Sequence, residues 1–258
     1  MSEVQNQEVA IRGNNAVSTD VAEWGTKEVS ANDLLVPQIL TMQGLSQFVS
    51  DGKAVMGEFR NSLTAELLGK YDSSPIEVIP FHCQEVFSIS RQLGDGSFEY
   101  HGTEPIIKSP MKAGYNDNLP WEDKQMIEGV MTPIKRVRRY NFFVLLAKEL
   151  AEGFAMPYFI SFKSTSVKEG KKLFNMMYVR NMAIGLTPAS YIIKIAGRKE
   201  KNDKGTFIIP TVEQGDKTPA PYLAEALTWY KRLNGGTAVK LHDDAEVVAE
   251  ASTGTGAF

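Results

Sequence analysis

The sequence has a single cysteine, Cys83, and only three histidines. One cysteine excludes an internal disulfide and any metal site built on several cysteines, and it agrees with a reducing compartment. His82, His101 and His242 are too far apart in the sequence for the i, i+4 pairing of helical metal ligands. We therefore predict no metal site and no cofactor.

Motifs of the common enzyme classes are also missing. The chain has no GxxxxGK[ST] phosphate loop, no GxGxxG turn after a strand, no HExxH pair and no GxSxG elbow. His82 and Cys83 are adjacent, but neighbouring side chains in a strand point to opposite faces, so they do not form a nucleophile and its base. We expect a protein that is not an enzyme.

Long hydrophobic runs are absent as well. No stretch approaches the roughly 18 apolar residues that a membrane-spanning helix needs. The first residues, MSEVQNQEVAIRGNN, lack the apolar centre of a secretory signal. We therefore expect no membrane contact and a cytoplasmic location. Residues 1–30 are polar and without periodicity, which predicts a disordered N-terminal segment.

The net charge of −3 conceals a segregation of charge along the chain. Residues 1–129 carry nine basic and 19 acidic side chains, residues 130–205 carry 15 and five, and residues 206–258 carry four and seven. The middle segment is therefore basic and has acidic flanks. This pattern is typical of a polyanion site, and nucleic acid is the commonest polyanion. The alternative is a set of solvated lysine and arginine side chains.

Hydrophobic periodicity predicts one mixed α+β domain over residues 31–240. Strands are predicted at residues 75–91, 97–107, 131–146, 154–165, 191–198 and 206–212, with a long loop at 108–128. Helices are predicted at residues 166–184 and 221–233. This order matches an OB fold, a five-stranded barrel with a helix between its third and fourth strands, whose open face binds oligonucleotides. We therefore expect an OB-like barrel with extra loops, the inserted helix, a C-terminal helix and disordered termini.

The sharpest internal signal is the run KRVRRYNFF, residues 135–143. Strand side chains alternate between two faces, so one face carries two guanidiniums followed by two aromatic rings. Cations that bind phosphates and rings that stack on bases suit single-stranded nucleic acid. The DNA-binding candidates of this run are Lys135, Arg136, Arg138, Arg139, Tyr140 and Phe142. The alternative is a core strand whose arginines form its solvated end.

Further candidates lie where the groove of an OB barrel would collect them. They are cations of a strand, a helix start and a hairpin, together with two aromatic residues of the long loop: Lys163, Lys171, Lys172, Lys194, Arg198, Lys199, Lys201, Tyr115 and Trp121. For the hairpin cations, the alternative is an ordinary solvated turn.

Residues 241–258 form an acidic tail. Its last part, DDAEVVAEASTGTGAF, has four carboxylates, no basic residue and a final phenylalanine. This composition predicts disorder, and an aromatic ring on an acidic tether suits docking to a partner protein. The partner-binding candidates are Asp243, Asp244, Glu246, Glu250 and Phe258. The alternative is a solvated terminus without function.

An OB core, strands with lysine and aromatic residues, and an acidic tail that ends in phenylalanine together resemble the bacteriophage single-stranded DNA-binding proteins. The stretches VPQILTMQGLS, GEFRNSLTAELLG and PIEVIPF also resemble the opening of phage proteins that belong with this group. The tail departs from the family pattern in its acid-free stretch, residues 251–257.

The resemblance implies a protein that coats single-stranded DNA without sequence specificity during phage replication and recombination, in the cytoplasm of the infected host. It also implies that the tail recruits replication or transcription proteins, so that a role in transcription is included. Two alternatives stay open. One is a strand-annealing recombinase that forms rings or filaments, and the other is a host-takeover protein that binds a bacterial enzyme.

Overall fold

The computed structural model describes residues 35–44, 46–107, 117, 119–203, 205–234 and 240–241. The expected N-terminal segment, residues 1–30, lies outside these residues. The same holds for Tyr115 and for the tail from residue 242 onward.

The described strands follow one another along almost the whole of this region. They are β1 (Leu35–Val36), β2 (Ile39–Thr41), β3 (Glu58–Asn61), β4 (Leu67–Lys70), β5 (Ile76–Gln92), β6 (Phe98–Pro105), β7 (Glu122–Ile127), β8 (Val130–Leu146), β9 (Pro157–Lys163), β10 (Tyr191–Asn202), β11 (Gly205–Lys217) and β12 (Lys240–Leu241). The helices are α1 (Gln47–Ser50), α2 (Ala147–Ala151), α3 (Val167–Phe174), α4 (Asn181–Ala183) and α5 (Ala220–Asn234). A 3-10 turn, Ser164–Ser166, precedes α3, and a π-helical segment, Asn175–Arg180, follows it.

Seven strands form the main sheet, in which every pair is antiparallel. Its centre is the pair β5–β8, and each of these strands is 17 residues long. Because of this length, each has room for two neighbours along its other edge: β10 and β6 pair with β5, and β9 and β7 pair with β8. The sheet therefore has two regions. We call β11–β10–β5–β8–β9 the body and β6–β5–β8–β7 the arm.

The body is covered on both faces, which explains why residues 142–146 form a continuous apolar run. On one face Phe142 packs with Leu173 of α3 and with the small sheet β2–β3–β4. On the other face Phe143 packs in the cluster that contains Ala226 of α5. Burial on both faces makes this end of β8 the centre of the fold.

The arm has a small core of its own, made of Phe87, Ile89, Ile127 and Ile134. Its β7–β8 hairpin turns at Glu128 and Gly129, whose φ angles are 51° and 81°. Positive φ at both central residues is typical of a tight two-residue hairpin turn. Residues 122–127 are therefore a strand, whereas the sequence analysis placed them in a long loop.

The expected mixed α+β class is confirmed, and α5 and the helical region from α3 to α4 agree with the helices predicted at residues 221–233 and 166–184. The expected five-stranded barrel is not what the structure has, because its main sheet is open and has seven strands. The edges that would close the body are covered by other segments. The amide of Phe159 in β9 donates to Pro37, and the side chain of Gln43 makes two hydrogen bonds of 2.9 Å with the backbone of Ile208 in β11.

Candidate nucleic-acid interface

The aromatic half of the run KRVRRYNFF lies in the core of the body. Tyr140 is 5% exposed and Phe142 is fully buried, and their rings stack on each other with centroids 6.3 Å apart. Burial, together with the nearby Glu85 carboxylate, raises the pKa of Tyr140 to about 12. A nucleobase cannot reach either ring in this structure, so these two residues correspond to the packing alternative.

The arginines of the same run are held by acidic partners. Arg136 is buried and donates to Asp123 at 2.8 Å, and this hydrogen bond lowers the pKa of the Asp123 carboxyl. Arg138 forms an ion pair of 3.2 Å with Glu85 and donates to the backbone carbonyl of Asp117. Because carboxylates already neutralise both guanidiniums, neither arginine supplies a free positive charge for a phosphate.

Arg139, on the opposite face of β8, is more deeply buried than the other two arginines of the run. It is 2% exposed and donates to Ser88 Oγ at 3.3 Å. A phosphate group could reach this guanidinium only after the structure around it had opened. The three arginines therefore stabilise the sheet through their contacts with the neighbouring strands β5 and β7.

Lys135 lies at the exposed side of the arm, in a cluster with two aromatic side chains. Its Nζ is 3.9 Å from the ring centroid of Phe98 and 5.4 Å from that of Trp121, and it forms an ion pair of 3.6 Å with Glu122. Trp121 is 62% exposed. We call Phe98, Trp121 and Lys135 the aromatic cluster, and it offers flat surfaces that unstacked bases can use.

A cleft of about 710 Å³ lies beside β9 and the β10–β11 hairpin. Its polar lining is made of six hydroxyl groups, three amides and one cation: Thr41, Ser161, Ser164, Thr165, Ser166, Thr206, Gln38, Gln43, Asn202 and Lys163. None of the described residues that line it is an aspartate or a glutamate. We call it the hydroxyl cleft, and its chemistry suits a polar anionic ligand rather than a cation.

The 3-10 turn at the end of β9 shapes one wall of the hydroxyl cleft. Ser164 has a φ angle of 50°, which is uncommon for a residue with a Cβ. Ser166 Oγ accepts a hydrogen bond from the amide of Lys163 and donates to its carbonyl, so the turn is closed on itself. This turn fixes the backbone of Lys163 in the wall of the cleft.

The tip of the β10–β11 hairpin carries three of the predicted cations. Arg198 forms an ion pair of 2.8 Å with Glu200. Lys199 and Lys201 are exposed, and neither forms an ion pair with the part of the chain that the structure describes. The neighbouring residue Asn202 lines the hydroxyl cleft, so these lysines lie close to it in the chain. We call Arg198, Lys199 and Lys201 the hairpin tip.

Helix α3 and the π-helical segment add a row of exposed cations, which we call the basic helix face. Its members are Lys168, Lys171, Lys172 and Arg180. Lys172 Nζ donates to the carbonyl of Val212 in β11, two residues beyond Pro210 in the lining of the hydroxyl cleft. Lys172 also lies 3.8 Å from Glu169, whereas Lys168 and Lys171 form no ion pair within the described ranges. The basic helix face therefore borders β11 next to the cleft.

Lys194 is less suited to a ligand than the other predicted cations. It lies on β10 and forms an ion pair of 3.5 Å with Glu77. The structure thus divides the predicted residues into two groups. Lys163, the hairpin tip, Lys171 and Lys172 lie in or near the hydroxyl cleft, while Arg136 and Arg138 lie apart in the arm. Arg139 is the register partner of Lys163 on β9, but it is buried.

Sequence reasoning missed the hydroxyls of the cleft as well as Lys168, Arg180 and Phe98. Lys168 and Arg180 could have been found from the sequence. Lys168 lies three residues before Lys171 and Arg180 eight after Lys172, so all four lie close to one face of the predicted helix. The hydroxyls carried no such signal, because β2, β9 and the β10–β11 hairpin bring them together from distant parts of the chain.

Within the described ranges, no group of three or more histidine, cysteine, aspartate or glutamate side chains could hold one metal ion. No helix of the described residues is both long enough and apolar enough to cross a membrane.

The described residues form a mixed α+β fold with a cleft whose described lining has no carboxylate, and exposed lysines lie beside this cleft. The family model of the Pam3 phage gp34-like proteins matches residues 7–239, and the chain belongs to this family. It is therefore a bacteriophage protein. Comparisons with curated proteins and with solved structures give no match.

Proposed function

We propose that this phage protein binds single-stranded DNA with little sequence preference and coats it during phage replication and recombination. The observation that carries the proposal is the hydroxyl cleft, whose described lining contains Lys163 and no carboxylate. Lys168, Lys171, Lys199 and Lys201, which form no ion pair with a described residue, lie on the elements that border it. Phosphates would bind these cations, and the sugar and base edges would bond to hydroxyls and amides.

The chemistry of the cleft favours a single strand over a duplex. Bases in a duplex turn their Watson–Crick edges toward each other, whereas an unpaired strand offers these donors and acceptors to the protein. Hydroxyl and amide side chains accept and donate hydrogen bonds equally well, so they tolerate different bases. Binding with little sequence preference follows from this lining.

The connectivity of the body also supports the proposal. Five strands in chain order, β5, β8, β9, β10 and β11, have a helix between the third and the fourth, as in an OB fold. In the sheet, β5 pairs with β8, β8 with β9, β5 with β10, and β10 with β11. This order of pairing resembles that of an OB fold without its closing pair, which would join β9 to β11. Lys163 at the end of β9 and the β10–β11 hairpin lie in the regions that OB folds use for oligonucleotides.

The aromatic cluster gives a second point of contact in this proposal. Stacking of a base on an exposed ring contributes roughly 1–3 kcal/mol and does not depend on the base. The partners proposed for the tail, replication or transcription proteins of the infected cell, rest on its sequence alone. A location in the cytoplasm of that cell belongs to the same proposal.

The test is a titration of labelled single-stranded and duplex oligonucleotides, followed by fluorescence anisotropy over a range of salt concentrations. We expect preference for the single strand and a slope of log K against log salt of roughly −0.7 for each phosphate contact. Equal affinity for the duplex, or affinity that salt does not change, would contradict the proposal. Ring or filament formation with annealing of complementary strands would favour the recombinase alternative.

A further inference from the structure

Residues 37–44 connect the two edges of the body that the closing pair of an OB barrel would join. At one end of this segment, the amide of Phe159 in β9 donates to the carbonyl of Pro37 at 3.0 Å. At the other end, the side chain of Gln43 is bonded to Ile208 in β11. Most of the segment lines the hydroxyl cleft, and we call residues 37–44 the strap. Within the described sheet β9 and β11 do not pair with each other, so the strap links their edges.

The carboxamide of Gln43 binds to β11 as a neighbouring strand would. Its Nε2 donates to the carbonyl of Ile208 and its Oε1 accepts from the amide of Ile208, each at 2.9 Å. A carboxamide has the same kinds of donor and acceptor as a peptide group. Two hydrogen bonds exchanged with one residue are the pattern by which an antiparallel strand pairs with its neighbour. Gln43 therefore occupies one of the positions on β11 at which a closing strand would pair.

The same edge of β11 directs further backbone groups toward the hydroxyl cleft. In an antiparallel pair, every second residue turns its amide and carbonyl away from the paired strand. Ile208 is such a residue, and the pairing of β11 with β10 is regular from Gly205 to Val212. The amide and carbonyl of Thr206 and the carbonyl of Pro210 therefore point to the same side as those of Ile208, and both residues line the cleft. A base edge in the cleft can bond to the backbone of Thr206 beside the Gln43 carboxamide.

The strap is anchored independently of Gln43. Its strand β2 pairs with β3, and Ile39 is 1% exposed in the core of the body. The amide of Met42 donates to the carbonyl of Glu58, and the carbonyl of Met42 accepts from the amide of Gly57, each at 2.8 Å. Replacement of Gln43 should therefore release the edge of β11 without unfolding the strap. This separates a role of Gln43 in the cleft from a role in the stability of the fold.

We propose that Gln43 is a positioning residue of the hydroxyl cleft. By holding the backbone of Ile208, it prevents another strand from closing the edge of β11 and keeps the backbone of Thr206 accessible to the base edges of a single strand. This inference rests on the proposed function, because it takes the cleft as the DNA site. The carboxamide is uncharged and replaces no counterion of a phosphate, so Gln43 contributes to the affinity but not to its salt dependence.

The experiment measures the affinity of the full chain for a fluorescent oligothymidylate by anisotropy. Gln43→Met keeps the size of the side chain and removes both hydrogen bonds to Ile208. It should weaken binding about fivefold, as the loss of roughly one net hydrogen bond does, and leave the slope of log K against log salt unchanged. The Ile208 amide should also exchange its hydrogen faster. Gln47→Met, on α1 and outside the cleft lining, is the matched control and should change none of these quantities. Unchanged affinity of Gln43→Met, or a changed salt slope, overturns the proposal.

A pH profile tests whether the hydrogen bonds of Gln43, rather than its shape, hold the site. In Gln43→Glu, a protonated carboxyl has a donor and an acceptor and can make both bonds, whereas a carboxylate only accepts. Relative to the parent, this variant should bind weakly at about pH 7 and recover toward the ordinary glutamate pKa of about 4.3, while Gln43→Met stays weak. No recovery, or the same profile in Gln47→Glu, overturns the proposal. A parent that does not bind the oligonucleotide contradicts the proposed function and this inference together, whereas a parent that binds no better than either Gln43 variant contradicts this inference alone.

Discussion

Two regions of this protein are rich in basic residues, but their surroundings differ. In β8, Arg136 and Arg138 lie against Asp123 and Glu85, and both guanidiniums are engaged inside the arm. Around the hydroxyl cleft, Lys199 and Lys201 are exposed and form no ion pair with described residues. The denser run of charge is therefore structural, and the sparser one is open to a ligand. The difference shows that a run of cations stays accessible to a ligand only where no neighbouring strand brings carboxylates to it.

The largest effect is expected where the β8 run is disrupted. Phe142→Ala should lower the free energy of unfolding by about 3–5 kcal/mol, because it removes a fully buried ring and leaves a cavity. The affinity of the remaining folded protein for single-stranded DNA should stay unchanged. Chemical denaturation and DNA titration of the same variant measure both quantities. A stable variant with reduced DNA affinity would show that this strand contacts DNA, and would contradict the contrast between the two basic regions.

The next effect concerns the hairpin tip. Lys199→Gln with Lys201→Gln should lower the affinity for single-stranded DNA on the order of tenfold at low salt, and should reduce the salt slope by roughly 0.7 for each lost contact. The melting temperature should not change, because both side chains are exposed. Lys148→Gln with Lys231→Gln, which removes two exposed lysines on α2 and α5, is the matched control. An equal loss of affinity in the control would show that only net charge matters.

The comparison also explains which features the sequence could reveal. Enrichment in Val, Ile and Phe identified β5, alternation gave the two faces of β8, and the 3.6-residue period identified α3 and α5, because each pattern depends on residues close together in the chain. The same alternation placed Arg136 and Phe142 on one face correctly. It could not tell that both would be covered, since Asp123 comes from β7, a strand hidden in an expected loop, and Leu173 comes from α3.

The hydroxyl cleft is the part of the candidate site that the sequence could not predict. Its serines and threonines have no period and no motif, and Gln43 lies 165 residues away from Ile208, to whose backbone its side chain is bonded. Long-range pairing of this kind is decided by the tertiary fold, so a single sequence predicts only some of the nearby lysines. Lys163, Lys171 and Lys199 were predicted because they belong to residues 130–205, where basic side chains outnumber acidic ones.

A smaller effect is expected from the tail, and it tests whether the exposed cations are accessible to any anion. We expect the four carboxylates of the acidic tail to compete with DNA for these cations, because linkage within one chain raises their local concentration. Deletion of residues 243–258 should therefore tighten single-stranded DNA binding several-fold at low salt, and less as screening increases. The deletion should also abolish the recruitment of a replication or transcription partner, and Phe258→Ala should weaken it. Unchanged DNA affinity together with unchanged partner capture would assign the tail no role.

The smallest effect is expected at Glu149 of α2, whose electrostatic situation is the reverse of that of the carboxylates beside β8. Beside β8, Asp123 and Glu85 have cationic partners. The carboxyl of Glu149 instead has a pKa raised mainly by burial, and Glu66 and Glu152 add to the shift. A carboxyl whose pKa is higher in the folded state binds its proton more tightly there. The free energy of unfolding therefore falls as the pH rises from the ordinary glutamate pKa through the raised one.

Glu149→Gln removes this cost and keeps an oxygen that accepts the Tyr158 hydrogen bond. The variant should melt at a slightly higher temperature than the parent at pH 7, by roughly 2–4 °C for each kcal/mol recovered. The difference should disappear below about pH 4, where both states of the parent carry a protonated carboxyl. Thermal melting of the two proteins between pH 3 and pH 8 measures it, with Glu225→Gln as an exposed control. A variant that is less stable at pH 7 would mean that Glu149 is neutralised in the folded protein, and the contrast with the paired carboxylates of the arm would be lost.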